Sequence, residues 1–375
     1  MYPRLFRLVT LALTTVAVTL ATVAGPAQGG PAAGRSADTA STSAQDTVFT
    51  ITDRLARQLA SSLAGDARRA ELLAAAANGP VDPSGLDAGP ALATALRQAN
   101  LAVLAAKGLP ANGPSLLQLR LARPEMRAAL LRGEAPLIAA PPTDDPAATV
   151  TTVTAYGLDG SKVSLDATRV PQRPVFVVDV DTSKALPLGL DVIRKTLDAR
   201  GIAGARPQAG TQAGYWATQV RAVRLSDDHE PWIKGAAEIF GIAGGFGLDS
   251  KVKVDTVTMP YLDNDGTTYY PNQLIVHFSA YKYNLADFVM MEDDGDTNYS
   301  ALALALADAL LTIVDGGAYI PLVNAIINAM PGSWWSDDPD YVDSWYTLST
   351  ASSGRFNGAA ANGWMDLAPY WVQQF

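Results

Sequence analysis

The chain has 375 residues, of which 48% are hydrophobic and 17% charged, with 31 Gly, 24 Pro and no Cys. That apolar content suffices for a sizeable core and two or three domains, and the missing Cys excludes disulfide scaffolds, zinc ribbons, iron–sulfur ligation and thiol catalysis. A formal charge of −9 at pH 7 leaves no basic footprint, so no nucleic-acid partner is expected.

Arg4 and Arg7 precede an apolar run from Leu8 to Ala24, and small residues suited to cleavage follow. Residues 1–27 therefore read as a secretory signal peptide, and the expected location is extracellular. A retained anchor is the alternative, since about 20 apolar residues span a bilayer. Threonines dilute the run, however, and no later segment is both long and uncharged enough, so no stable membrane span is expected once the signal is removed. Residues 28–47 are Gly, Ala, Ser and Thr without hydrophobic periodicity, a flexible linker.

Residues 48–140 read as an α-helical domain. Ile51, Leu55, Leu59 and Leu63 recur every four residues, with Thr52 or Asp53 placed to cap the first turn. The next helix stops at Asn78-Gly79-Pro80; another spans Leu86 to Lys107, interrupted at Gly89-Pro90; a short one opens on Pro124 and ends at Gly133. Nothing there is chemically distinctive, so a structural module, a stalk and a pro-region all stay open.

Beyond a Pro-rich joint the apolar period changes from about 3.6 to 2. Residues 147–215 form a small β-module, with a hairpin around Leu158-Asp159-Gly160, a buried strand from Val175 to Val180, and one helix ended by Gly201. Residues 216–375 show short strands separated by polar turns, which predicts an antiparallel β-sandwich. Tyr299 to Met330 interrupts it as a helical-hairpin insert. Leu302, Leu306, Leu310 and Ile313 share one face of that insert, and Asp308 and Asp315 share another. The fold class is thus α+β and multidomain.

Charge is unevenly spread. Residues 251–375 hold four basic side chains against fifteen acidic ones, ten of them bunched in three predicted loops. Asp263 and Asp265 lie in the first, Glu292, Asp293, Asp294 and Asp296 in the second, and Asp337, Asp338, Asp340 and Asp343 in the third. If the loops meet, their carboxylates repel unless a cation sits among them, and calcium fits because it takes about six to eight oxygen ligands without His or Cys. The expected ligands are Glu238, Asp263, Asp265, Glu292, Asp294, Asp296, Asp337, Asp338 and Asp340. Solvated turns rich in Asp and Asn are the alternative.

The runs EPWIKGAAEIFGI, MPYLDNDGTTYYPNQLIVHF, FVMMEDDGDTNYSALALALADAL and SWWSDDPDYVDSWYTL resemble an uncharacterised family of secreted bacterial proteins. The resemblance covers about residues 147–375, and arguably the helical region. It implies export and a C-terminal region like calcium-dependent sandwiches, and supplies neither an activity nor catalytic residues.

Neither a GxSxG elbow nor an HExxH motif is present. His277 is expected on the face opposite Leu274, Val276 and Phe278, and His229 sits among acids in a turn. Glu238, alone among apolar residues, is read as an ion ligand, a catalytic acid or an edge-facing side chain. Trp334, Trp335, Trp345, Trp364 and Trp371 crowd the last 45 residues, which suits either a sandwich core or a glycan or cell-surface partner. The resulting expectation is a non-enzymatic, calcium-stabilised extracellular binding module; the alternative is a secreted hydrolase using carboxylates.

Overall fold

The structure, a computed structural model, describes residues 47–63, 68–85, 89–142, 151–202, 204, 214–226, 232–235, 237–293, 295–329 and 341–373. The signal segment and the linker before Thr47 lie outside these residues. Among the described residues are seven α-helices and three sheets, giving a mixed α/β protein whose sheets are largely antiparallel.

Helix α1 (Val48–Ser62) follows the four-residue spacing, with Ile51, Leu55 and Leu59 buried. Its cap differs from expectation: the Thr47 side chain accepts the Thr50 N–H at 3.2 Å, one turn before the expected position. Thr52 is instead buried and returns its hydroxyl to the Val48 carbonyl, while Asp53 accepts the Tyr156 hydroxyl. Helices α2 (Arg68–Asn78) and α3 (Gly89–Ala106) follow. In α3 the Gly89-Pro90 pair is the helix start and does not interrupt it, because proline fits a first turn whose N–H has no helical partner.

Two strands then appear within the stretch read as helical: β1 (Leu117–Leu121) and β2 (Leu137–Ala139), with the short α4 (Arg127–Leu131) between them. They pair with strands beyond the Pro-rich joint, namely β3 (Thr152–Gly157), β4 (Lys162–Asp166) and β5 (Val175–Val180). The order is β1-β5-β2-β3-β4, with β2 parallel to β5 and every other pair antiparallel. Residues on both sides of Pro141-Pro142 thus share one sheet. Helix α5 (Thr182–Ala199) leaves the end of β5 and stops before Gly201, whose φ of 72° is readily adopted only by glycine.

The remaining strands are β6 (Gly214–Leu225), β7 (Ile239–Phe246), β8 (Val252–Thr258), β9 (Thr268–Tyr269), β10 (Gln273–His277), β11 (Leu285–Glu292), β12 (Tyr341–Ser349), β13 (Gly354–Asn357) and β14 (Gly363–Gln373). One sheet runs β10-β6-β14-β13, with β9 also on β6; the other runs β12-β11-β7-β8. Helices α6 (Tyr299–Leu311) and α7 (Val323–Ala329) supply the expected insert, with Leu302, Leu306 and Leu310 buried. Asp315 lies beyond the end of α6, so it does not share a helical face with Asp308.

Every residue of β7 is buried, and alternate side chains serve two cores. Phe240, Ile242 and Phe246 pack in the cluster that includes α5, α6 and the first sheet. Ile239 and Ala243 join Val220, Val223, Met365 and Leu367 of the other sheet. A strand covered on both faces reads as a continuous apolar run, which is what IFGIAGGF shows.

A β-bulge corrects the expectation for His277. Register slips between Leu274 and Val276, so Ile275 and Val276 are both buried and Leu274 is not. His277 is half-buried, with Nδ1 3.1 Å from the Tyr215 hydroxyl, and burial lowers its pKa. Trp345 is a core residue, whereas Trp371 is 44% exposed beside the equally exposed Trp216.

Candidate functional site

A cavity of about 310 Å³ opens among the first turns of α1, Pro80, β1, Pro141-Pro142, the passage from β5 into α5, Lys234, Gly235 and Glu238 before β7, and the turn after β11. Its polar lining includes Arg120, Asp179, Asp181, Thr182, Lys234, Glu238, Asp293 and Asp296.

Strand register builds one wall. Gln118 faces Asp179 across the β1–β5 ladder, which puts Arg120 diagonally opposite on the same sheet face. Arg120 Nη2 donates to Asp179 Oδ2 at 2.9 Å, to the Ile233 carbonyl at 2.7 Å, and to the Lys234 carbonyl. One guanidinium therefore ties the first sheet to the segment entering β7. A side chain at Gly235 would place its Cβ 3.1 Å from that nitrogen, and its φ of 115° also favours glycine. Asp181 precedes α5, with its N–H on the Leu116 carbonyl at 2.6 Å and Lys184 Nζ 2.7 Å from its Oδ2.

Another wall comes from the end of β11. The Asp293 N–H reaches the Glu238 carbonyl at 3.1 Å. Its carboxylate takes Lys107 Nζ at 3.3 Å on Oδ1 and the Tyr299 hydroxyl on Oδ2. Lys107 also donates to the Gly295 carbonyl at 2.8 Å and lies 5.0 Å from the Tyr299 ring centroid. The Lys107 and Asp293 side chains are both wholly buried.

Glu238 is half-buried on the cavity wall. Burial pushes its pKa up to about 8, with Asp293 and Asp179 adding to the rise, against the Thr182 hydrogen bond and the Arg120 charge. Burial also raises Asp179, outweighing its ion pair with Arg120. A carboxyl raised in the folded state binds protons that the unfolded chain releases, so its contribution to stability is lost as pH rises from about 4.5 toward 8. The melting temperature of Glu238→Gln is therefore expected to fall less than that of the native chain between those limits. The slope removed is at most about 1.4 kcal/mol per pH unit, and parallel melts of the two proteins would refute the assignment.

The expected ion ligands divide. Glu238 and Asp296 line the cavity. Glu292 ends β11, buried opposite Ile239. Asp263 accepts the Tyr269 hydroxyl at 2.7 Å in a loop that also holds Asp265 and is fastened to β6 through Arg224 and the Gly266 carbonyl. Asp294, Asp337, Asp338 and Asp340, with Trp334, Trp335 and His229, lie outside the described residues. Asp343, from the third bunch, is buried and bonded to backbone N–H groups. Among the described residues no group of three or more His, Asp or Glu has the arrangement to hold a metal ion. Sequence reasoning missed Arg120, Asp179 and Lys107; an acid inside VFVVDV and an arginine inside LQLRL are the signals that were there to be used.

Among the described residues, three sheets, seven helices and a cleft lined by ionisable groups define a mixed α/β chain whose polar site is assembled from distant segments. The chain belongs to DUF3103, a family described as a protein of unknown function, whose model matches residues 51–375. The match takes in the helical region as well as the sheets. No curated protein and no solved structure matches the chain. Among the described residues, no helix is long and apolar enough to cross a membrane.

Proposed function

We propose that this is an exported, extracellular binding protein whose ligand site is the cleft between Arg120, Asp179 and Glu238. The observation that carries this reading is Glu238: a carboxyl titrating near neutrality on the wall of a cavity of about 310 Å³, the size of a small-molecule site. Export is supported by Arg4, Arg7 and the apolar run behind them. The test is a thermal-shift screen of small polar molecules on protein purified from culture supernatant. A hit that raises the melting temperature of the native chain, and does so less in Glu238→Gln, supports the cleft. Equal shifts in both proteins, or no hit, count against it.

Calcium stabilisation is part of the same reading, supported by where the acidic segments begin. The chain leaves β8 next to Phe240, leaves β11 next to Ile239, and enters β12 next to Met291. All three segments therefore issue from one end of the four-stranded sheet. A chelator is expected to lower the calorimetric unfolding temperature by several degrees, reversed by added calcium. An unchanged transition removes calcium from the proposal.

A glycan partner finds support in Trp216 and Trp371, adjacent across β6 and β14 and each 44% exposed. The second reading, a secreted hydrolase using carboxylates, is favoured by Glu238 itself, since a carboxyl protonated near neutrality is suited to donate a proton to a leaving group. Turnover of any glycan, ester or peptide that Glu238→Gln abolishes, with its melting curve retained, would favour the enzyme.

A further inference from the structure

Lys107 and Asp293 each bury a full charge, and the groups around them also fit the neutral product of their condensation. Both side chains are wholly inaccessible, with Nζ 3.3 Å from Oδ1. Taking two charges out of water is costly, and their mutual attraction repays it only in part. The other contacts of the pair are those an amide needs. Lys107 Nζ donates to the Gly295 carbonyl at 2.8 Å, and the Tyr299 hydroxyl donates to Asp293 Oδ2. An amide joining Nζ to Cγ has one N–H and one carbonyl oxygen, so it keeps both bonds and loses both charges. Backbone bonds hold the two residues in place: the Asp293 N–H on the Glu238 carbonyl at 3.1 Å and the Tyr299 N–H on the Lys107 carbonyl at 3.0 Å. Reacting groups fixed in this way meet at a high effective concentration. A third carboxyl, Glu238, interacts electrostatically with both Asp293 and Tyr299, and burial keeps it protonated at neutral pH.

We propose that Lys107 and Asp293 condense after folding into an intramolecular amide, with Glu238 carrying the proton. This goes beyond the ligand site and does not depend on it. The ammonium passes one proton to Asp293 Oδ1, and the freed Nζ lone pair attacks Cγ while Tyr299 holds the charge that develops on Oδ2. Glu238 gives its proton to Oδ1 and regains one from the nitrogen. The Cγ–Oδ1 bond breaks and Oδ1 leaves as water, toward the cleft that Asp293 borders. An ammonium and a carboxylate thus become one amide and one water, with no oxidant or further reactant. The chain has no Cys, so this bond would supply the covalent link that disulfides cannot, between residues 186 positions apart. The charged pair is the form present on folding; it persists in Glu238→Gln, the background in which the worth of the ion pair itself is measured.

Mass spectrometry of the full chain, held folded at neutral pH and then unfolded, tests the proposal once amino-terminal sequencing has fixed its first residue. The expected mass is one water below that of the sequence, and tandem spectra are expected to show a fragment joining the segment of Lys107 to that of Asp293. Lys107→Arg and Asp293→Ala are expected to keep their full mass. Glu238→Gln, checked by its melting curve, is expected to lose water at least about a hundredfold more slowly than the native chain. A native chain still at full mass after prolonged incubation overturns the proposal. So does a missing water that Lys107→Arg retains, since a succinimide at an Asp-Gly pair such as Asp315-Gly316 gives the same mass and joins no distant segments. An amide that forms as fast in Glu238→Gln overturns the role given to Glu238. The thermal-shift screen decides the ligand site separately.

Discussion

Asp343→Ala is expected to destabilise the full chain by at least about 4 kcal/mol, the largest loss from any single carboxylate in the C-terminal third. The side chain is wholly buried and accepts four backbone N–H groups. Oδ1 takes those of Ser344 and Ala360, each at 2.8 Å; Oδ2 takes those of Asn362 at 3.0 Å and Gly363 at 2.8 Å. Together they pin the turn between β13 and β14 onto β12. Alanine strands four donors, those of Ser344 and Gly363 buried and those of Ala360 and Asn362 partly so, and a buried one costs about 1–3 kcal/mol when unpaired. Asp343→Asn keeps one acceptor oxygen and turns an amide N–H₂ toward two donors, so an intermediate loss is expected. Urea unfolding of the three proteins ranks them; a loss below about 1 kcal/mol for alanine would mean that the carboxylate does not hold the turn.

That residue also shows one use the fold makes of the acidity of residues 251–375. The fold answers much of it with its own groups, and several of these come from far earlier in the chain. Lys107 meets Asp293, Arg200 meets Asp308 at 3.1 Å, and Arg221 meets Asp366 at 3.0 Å. Lys282 and Tyr283 hold Asp315, and the backbone N–H groups of Leu322 and Thr347 hold Asp287. Sequence exposes the surplus of one sign locally; it does not show which distant residues will stand beside it. The slight basic excess of the first 250 residues is in part the complement of that surplus.

Elements governed by local periodicity were legible. The four-residue recurrence of Ile51, Leu55 and Leu59, the hairpin at Asp159-Gly160 and the two-helix insert all depend on neighbours along the chain. Strands β1 and β2 were not, because five and three residues are too few for a period to stand out among helices. The site divides the same way. Glu238 drew attention as an acid among apolar residues, whereas Arg120 and Asp179 join it from 118 and 59 positions away, as their places in the chain show. Such pairing is set by sheet register, which one strand alone does not reveal.

Lys107→Met is expected to cost about 3–5 kcal/mol, because it leaves the Asp293 carboxylate buried without its cation. Asp293→Asn alone strands the ammonium instead, and a comparable loss is expected. The pair Lys107→Met with Asp293→Asn removes both charges and keeps an amide oxygen for the Tyr299 hydroxyl, so stability is expected to return to within about 1–2 kcal/mol of the native chain. The recovery is the informative quantity, since it separates the cost of an orphaned charge from the net worth of the ion pair. Additive losses, read from denaturant midpoints at constant slope, would show that the two residues do not act on each other. The position matters because Lys107 follows α3 and Asp293 follows β11, 186 residues later. Around them Asn298 donates to the Ala106 carbonyl at 2.8 Å, Ser300 to the Gly108 carbonyl at 2.6 Å, and the Tyr299 N–H to the Lys107 carbonyl at 3.0 Å. The helical segment is thus stitched to the start of α6 around a buried charge. Cutting it away would uncover the Asp293 that lines the cleft, which argues against a disposable pro-region and places residues before 140 among those that shape the site.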